Sequence, residues 1–131
     1  GGSTEITLIH QGRLVGSMSY NIGTIRLLNR AVKDGIVDGL KADMAGMYAN
    51  YGPINIIGSG GNINKLFRLA EEKSKKELKL PITSLRSLHN DLQPLSVEER
   101  MDRFGLKPDR ADVIVPAAEI FLIIADCIHS D

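Results

Sequence analysis

The 131-residue chain sets sixteen Lys and Arg against sixteen Asp and Glu, so no net field draws it to nucleic acid or to an anionic membrane. Its 43% hydrophobic and 24% charged content is that of an ordinary folded domain, long enough to bury a real core. A single cysteine excludes an internal disulfide framework and a cysteine-built zinc site. Any anion binding therefore has to be local.

In chain order, "STEITLIHQGRLVGSMSYNIG" holds two β-type runs, residues 5–10 and 14–20, with Gln11-Gly12-Arg13 as a hairpin turn. Thr4, Ile6, Leu8 and His10 share one face, which is largely apolar. From Thr24 the period becomes helical: Ile25, Leu28 and Val32 mark a first helix ending near Asp34-Gly35. Leu40, Met44, Met47, Tyr48 and Tyr51 mark a second, stopped by Gly52-Pro53. Residues 54–57 read as a short buried strand, followed by a helix from about Ile63 whose stripe is Ile63, Leu66, Phe67 and Ala70. Glu71–Lys75 and Glu72–Lys76 would form i,i+4 pairs on its outer side.

"LPITSLRSLHNDLQP" predicts a short helix after Thr83, closed by Pro94. "SVEERMDRFG" carries a capping box, Ser96 with Glu99, and ends at Gly105. The last helix is expected to begin between Ala111 and Val115 with Pro116 in its first turn. Being apolar on nearly all sides, it should be buried from more than one direction. The fold class is α/β.

The apolar run 113–128 is interrupted by Pro116, Glu119 and Asp126 and is too short to span a bilayer. With no signal-peptide pattern, a reducing cytoplasm is the expected setting, and Cys127 is expected to be a buried, inert thiol. The chain opens on "GGSTEITLI", already inside a strand, and ends on "ADCIHSD", the pattern expected of a segment cut from something longer.

Three segments could carry chemistry: residues 1–5, 58–62 and 109–112. Gly1-Gly2-Ser3-Thr4 stands at the start of one strand and Gly58-Ser59-Gly60-Gly61-Asn62 at the end of another. Successive amides in a glycine turn form an anion-binding concavity, and a following helix N-terminus adds its positive end. Ser3, Thr4 and Ser59 could donate further bonds to phosphate oxygens. A tight structural turn explains the same glycines. The pattern matches neither the P-loop nor the dinucleotide fingerprint. Arg110 beside Asp112 reads either as a surface arginine next to a capping aspartate or as a planar fork aimed at phosphate. Glu5 could bind Mg²⁺ or position water, or simply face solvent. His10, His89 and His129 share no metal-ligand spacing, and "EEKSKKELK" mixes signs as a solvated face does.

Together these segments resemble one family. "GGSTE" is similar to the tail of the D-I-G-G-G-S-T-E phosphate motif of exopolyphosphatases and guanosine pentaphosphate phosphohydrolases. "IGSGGNINKL" resembles their second glycine motif, G-[ST]-G-G-[TN], and "SVEERMDRFGLKPDRADVIVPAAEIF" their segment centred on R-x-D-V-I-x-P-A. The resemblance implies the second ribonuclease-H-like domain of an actin/Hsp70/sugar-kinase-type enzyme, expected to lack its first and last strands. It implies that Gly1, Gly2, Ser3, Thr4, Gly58, Ser59, Gly60, Gly61, Asn62 and Arg110 bind phosphate, and that Glu5 assists catalysis near Mg²⁺. The substrate implied is inorganic polyphosphate or guanosine pentaphosphate.

The chain also departs from the pattern. The aspartate that opens the first motif would precede Gly1. The principal catalytic glutamate of the family belongs to a first domain outside these residues, so the chain alone is expected to turn over slowly or not at all. Asn62 stands where many members have Thr. Sheet edges lacking flanking strands would favour a homodimer.

Overall fold

The computed structural model describes residues 3–23 and 35–129. Gly1, Gly2 and the helix expected between Thr24 and Asp34 lie outside the described residues. Within them the order is β1 (Thr4–His10), β2 (Arg13–Tyr20), α1 (Ile36–Tyr51), α2 (Gly61–Leu69), α3 (Ile82–Leu92), α4 (Val97–Phe104) and α5 (Pro108–Cys127).

β1 and β2 form an antiparallel hairpin in which Gln11 and Gly12 turn the chain at φ 51° and 78°. Two successive positive φ values give the primed turn whose twist matches the strands. His10 pairs with Arg13 and Ile9 with Leu14, but a bulge then shifts the register, so Leu8 opposes Gly16 and Glu5 opposes Ser19. On the inward face, Ile6 and Met18 pack with Leu40 and Met44 of α1.

The long helix α5 is the hub: α1, α2, α3 and α4 all pack on it. A helix apolar all round has to be covered all round, and α5 separates two apolar clusters. On one side Leu66, Leu85, Leu88, Leu92 and Leu106 close on Ile114, Ala118 and Leu122. On the other, Ile22, Leu40 and Met44 meet Ile120 and Ile128. Each large aliphatic side chain buried this way contributes about 1.5–3 kcal/mol.

Helix ends follow their local chemistry. Ser96 and Glu99 form the full capping box of α4, and Gly105 closes that helix at φ 65° in the left-handed region. Arg100 ties α4 to its neighbours by donating to the carbonyls of Leu92, Gln93 and Ala111. It thereby satisfies the end of α3, where intrahelical partners run out.

Four expectations need correction. α5 starts at Pro108, whose ring is preset for the first helical turn, and Pro116 lies in the helix interior, where the surrounding helices bury it. The aspartate of its first turn is Asp109, not Asp112. α2 stops at Leu69 because Ala70 turns extended (φ −66°, ψ 135°), carrying its buried methyl into the core. Residues 71–79 then form a turn closed by Ser74 and Lys79, so the Glu71–Lys75 and Glu72–Lys76 helical pairs have no helix to stand on. Lys73 instead donates to the Arg68 carbonyl and lies 5.3 Å from the Phe67 ring centre.

Finally, residues 54–57 join no sheet. The described sheet has two strands, and a groove of about 500 Å³ is lined by β1 on one side and residues 54–63 on the other. The segment keeps the alternation of a strand: Ile54 and Ile56 pack inward, while Ile57 is 94% exposed.

Candidate functional site

The polar part of this groove's lining is built from the segments that stood out in the sequence. Ser3, Thr4 and Glu5 enter from the start of β1, and Gly58, Ser59, Gly60, Gly61 and Asn62 from the turn into α2. The remaining floor is apolar, with Ile6, Met44, Ile54, Ile56, Ile120 and Ile124 among its residues. A linear polyanion gains nothing over such a floor, so anion chemistry is confined to the polar lining.

The three glycines of the turn serve three different needs. Gly60 has φ 124° and ψ 169°, a conformation open essentially to glycine alone. A Cβ at Gly58 would fall 2.8 Å from the Phe121 ring and 3.1 Å from Ile63, so that glycine admits core packing. A Cβ at Gly61 would fall 2.7 and 3.0 Å from the two terminal nitrogens of Arg110. Bare backbone is thus needed at Gly61 to seat an arginine. At 58 and 61 the space a side chain would take is filled by Phe121 and Arg110.

Arg110, half-buried in the first turn of α5, donates from Nη1 to Asn62 Oδ1 at 2.6 Å. Its guanidinium lies against the start of α2. That helix has Gly60 as its N-cap and no side-chain cap, and its first intrahelical bond from beyond the cap runs from Asn64 N to Gly60 O at 3.2 Å. The preceding amides of the first turn have no intrahelical acceptors and carry the positive end of the helix dipole. Cation and amides together make the start of α2 electropositive.

The hydroxyls are used differently from expectation. Thr4 donates its proton to the Ile22 carbonyl, which removes it as a donor to a ligand. Ser3 donates to Glu5 Oε1 at 2.6 Å, and Ser19 to the same oxygen at 3.2 Å. Ser59 is exposed between Gly58 and Gly60. Ser19 was not a candidate in the sequence, because only the bulged register brings it opposite Glu5. Phe121 is likewise new to the site, as the residue that dictates Gly58.

Glu5 is the one acidic residue among those lining the groove. Among the described residues no group of three or more His, Cys, Asp or Glu could hold a metal ion. A lone carboxylate nonetheless fits Mg²⁺, which commonly binds one or two carboxylates and completes its shell with water and phosphate oxygens.

The remaining candidates are structural. His10 stacks on Tyr51 at 5.0 Å and His129 on Tyr48 at 4.7 Å. His89 meets Glu119 at 3.2 Å between α3 and α5. Cys127 packs with the second cluster, and burial pushes its thiol pKa up, as expected of an unreactive cysteine. No helix among the described residues is long and apolar enough to cross a membrane.

The chain is similar over its full length to the Aquifex aeolicus Ppx/GppA phosphatase in its type II variant, at 22% identity and a TM-score of 0.74. It is equally similar in fold to an exopolyphosphatase from Cytophaga hutchinsonii, at 20% identity and a TM-score of 0.74. Each match covers 100% of this chain and 48% of the solved one, so the chain spans about half the length of these structures. No curated protein matches the chain in sequence. The two likenesses establish the fold, a mixed α/β fold shared with these structures. The profile of the Ppx/GppA phosphatase family matches residues 1–131, and the chain belongs to that family.

Proposed function

We propose that the chain forms part of a phosphoanhydride hydrolase that releases terminal phosphate from inorganic polyphosphate, and that it supplies the phosphate-binding elements. The observation that carries this reading is convergence. Segments 3–5 and 58–62 line the same groove, and Arg110 reaches the second of them from nearly fifty residues further along the chain.

Phosphoryl transfer asks a protein mainly for positioning and charge neutralisation. The first-turn amides of α2 and the Arg110 guanidinium offer both. Glu5, with its carboxylate oriented by Ser3 and Ser19, would hold Mg²⁺ together with phosphate oxygens. The ion would supply further neutralisation of the anion. Exposed, and already accepting two hydroxyl bonds on one oxygen, Glu5 is a weak candidate for the base that orients water. Residues 1–131 by themselves should therefore bind polyphosphate and turn it over very slowly.

Two measurements test this. Titrating the labelled chain with tripolyphosphate should move the amide resonances of residues 59–63; unmoved resonances there would overturn the reading. Incubation with long-chain polyphosphate and Mg²⁺ should release little phosphate, and robust turnover would contradict the assisting role given to Glu5. Guanosine pentaphosphate carries the same phosphoanhydride chemistry, and competition between it and polyphosphate for the same resonances decides which is preferred.

A further inference from the structure

We infer that Asn62 is a positioning residue for Arg110, holding the guanidinium over the start of α2 without cancelling its charge. This rests on the phosphate-binding reading above and deepens it. The sequence reading has Asn62 touch phosphate itself, but its side-chain oxygen is already occupied, accepting from Arg110 Nη1 at 2.6 Å.

The chemistry of the acceptor matters. An arginine on a surface has many rotamers, and fixing it in advance removes an entropic cost from ligand binding. A carboxylate would fix it equally well but would neutralise the cation. Asn offers a strong neutral acceptor, so the other N–H donors of the fork keep their full attraction for an oxyanion. Gly61 completes the device, since a side chain there would collide with the same guanidinium at 2.7 Å. Among the described residues no carboxylate pairs with Arg110. Its neighbour Asp109 instead accepts from the Arg110 backbone N–H at 3.0 Å.

The test is a double-mutant cycle on the 131-residue chain, reading tripolyphosphate affinity by calorimetry at low salt. Arg110→Ala should weaken binding about tenfold, the loss of one charge-assisted contact. Asn62→Ala should weaken it about threefold to tenfold, and the double variant should be no weaker than Arg110→Ala alone. Asn62→Asp should keep or raise thermal stability, because an acid suits the first turn of a helix. It should nevertheless bind tripolyphosphate more weakly than Asn62→Ala does.

Additive losses in the cycle, or wild-type affinity in Asn62→Ala or Asn62→Asp, would overturn the positioning role while leaving the anion site standing. An Arg110→Ala chain that binds as wild type would take Arg110 out of the anion site, and a wild-type chain that binds no tripolyphosphate would overturn the phosphate-binding reading itself. These failures are therefore distinguishable. A second readout follows the Arg110 side-chain N–H resonances in the unliganded protein. They should sharpen and shift in wild type relative to Asn62→Ala, and unchanged resonances would also refute the contact.

Discussion

Replacing Gly61 by Ala separates a glycine kept for structure from one kept for a ligand. Its φ is not in the positive region, and it sits in the first turn of α2, where alanine is the better helix former. On that ground alone the substitution should stabilise the protein by about 0.5–1 kcal/mol. The new Cβ would stand 2.7 Å from an Arg110 terminal nitrogen. This is the far end of a flexible side chain, so the guanidinium swings aside rather than the backbone moving. The bond to Asn62 is then lost, at a cost of about 1 kcal/mol for a partly buried contact. The two effects nearly cancel, leaving net stability within about 1 kcal/mol of wild type and the midpoint of thermal unfolding within about 5 °C. Tripolyphosphate affinity should nonetheless fall about tenfold, because the displaced cation no longer faces the anion. Differential scanning fluorimetry and calorimetric titration on the same preparation measure both quantities. A chain destabilised by several kcal/mol that binds as wild type would refute the reasoning and return Gly61 to a purely structural role.

Gly58→Ala should behave oppositely, losing about 1–3 kcal/mol by urea unfolding, because the new methyl would meet at 2.8 Å the Phe121 ring, which is held by its packing against the first apolar cluster. Arg100→Ala should cost about 2–3 kcal/mol by the same measurement, since three carbonyls from α3, its cap and α5 lose a charged donor. Ser96→Ala removes the α4 cap and should cost about 1 kcal/mol. The Glu99 carboxyl is held below its ordinary pKa, first by the Ser96 backbone N–H and then by the Ser96 side chain. A depressed folded-state pKa gives stability that is complete above the unfolded-state value and is lost as pH falls through the folded one. The advantage of wild type over Glu99→Gln, complete above the ordinary carboxylate range, should therefore shrink as pH falls below that range, and a difference that stays constant with pH would contradict the capping role.

Much of the fold is legible residue by residue. Ser96, Glu99 and Gly105 mark both ends of α4 because caps are local: the side chain bonds the amide three residues away, and nothing distant intervenes. The Gln11-Gly12 turn and the heptad-like apolar spacing of α1 are local in the same sense. The end of α2 is not. Helical pairing on its outer face argues for continuation past Leu69, but burying Ala70 in the core takes the chain out of the helix there. Packing gain outweighs the few tenths of a kcal/mol that surface pairs contribute.

The site divides along the same line. Which residue types gather there was decided by sequence: glycine turns, a guanidinium and a single carboxylate. Their roles came only with the tertiary structure. Counting back from the hairpin turn pairs Glu5 with Met18; the bulge moves it to Ser19, giving the carboxylate its second hydroxyl. Gly58, Gly60 and Gly61 are indistinguishable as letters, yet one answers to Phe121, one to its own dihedral angles and one to Arg110. A glycine records only that a side chain is unwelcome. What stands in that space is fixed by residues dozens of positions away, and only the folded chain brings them near.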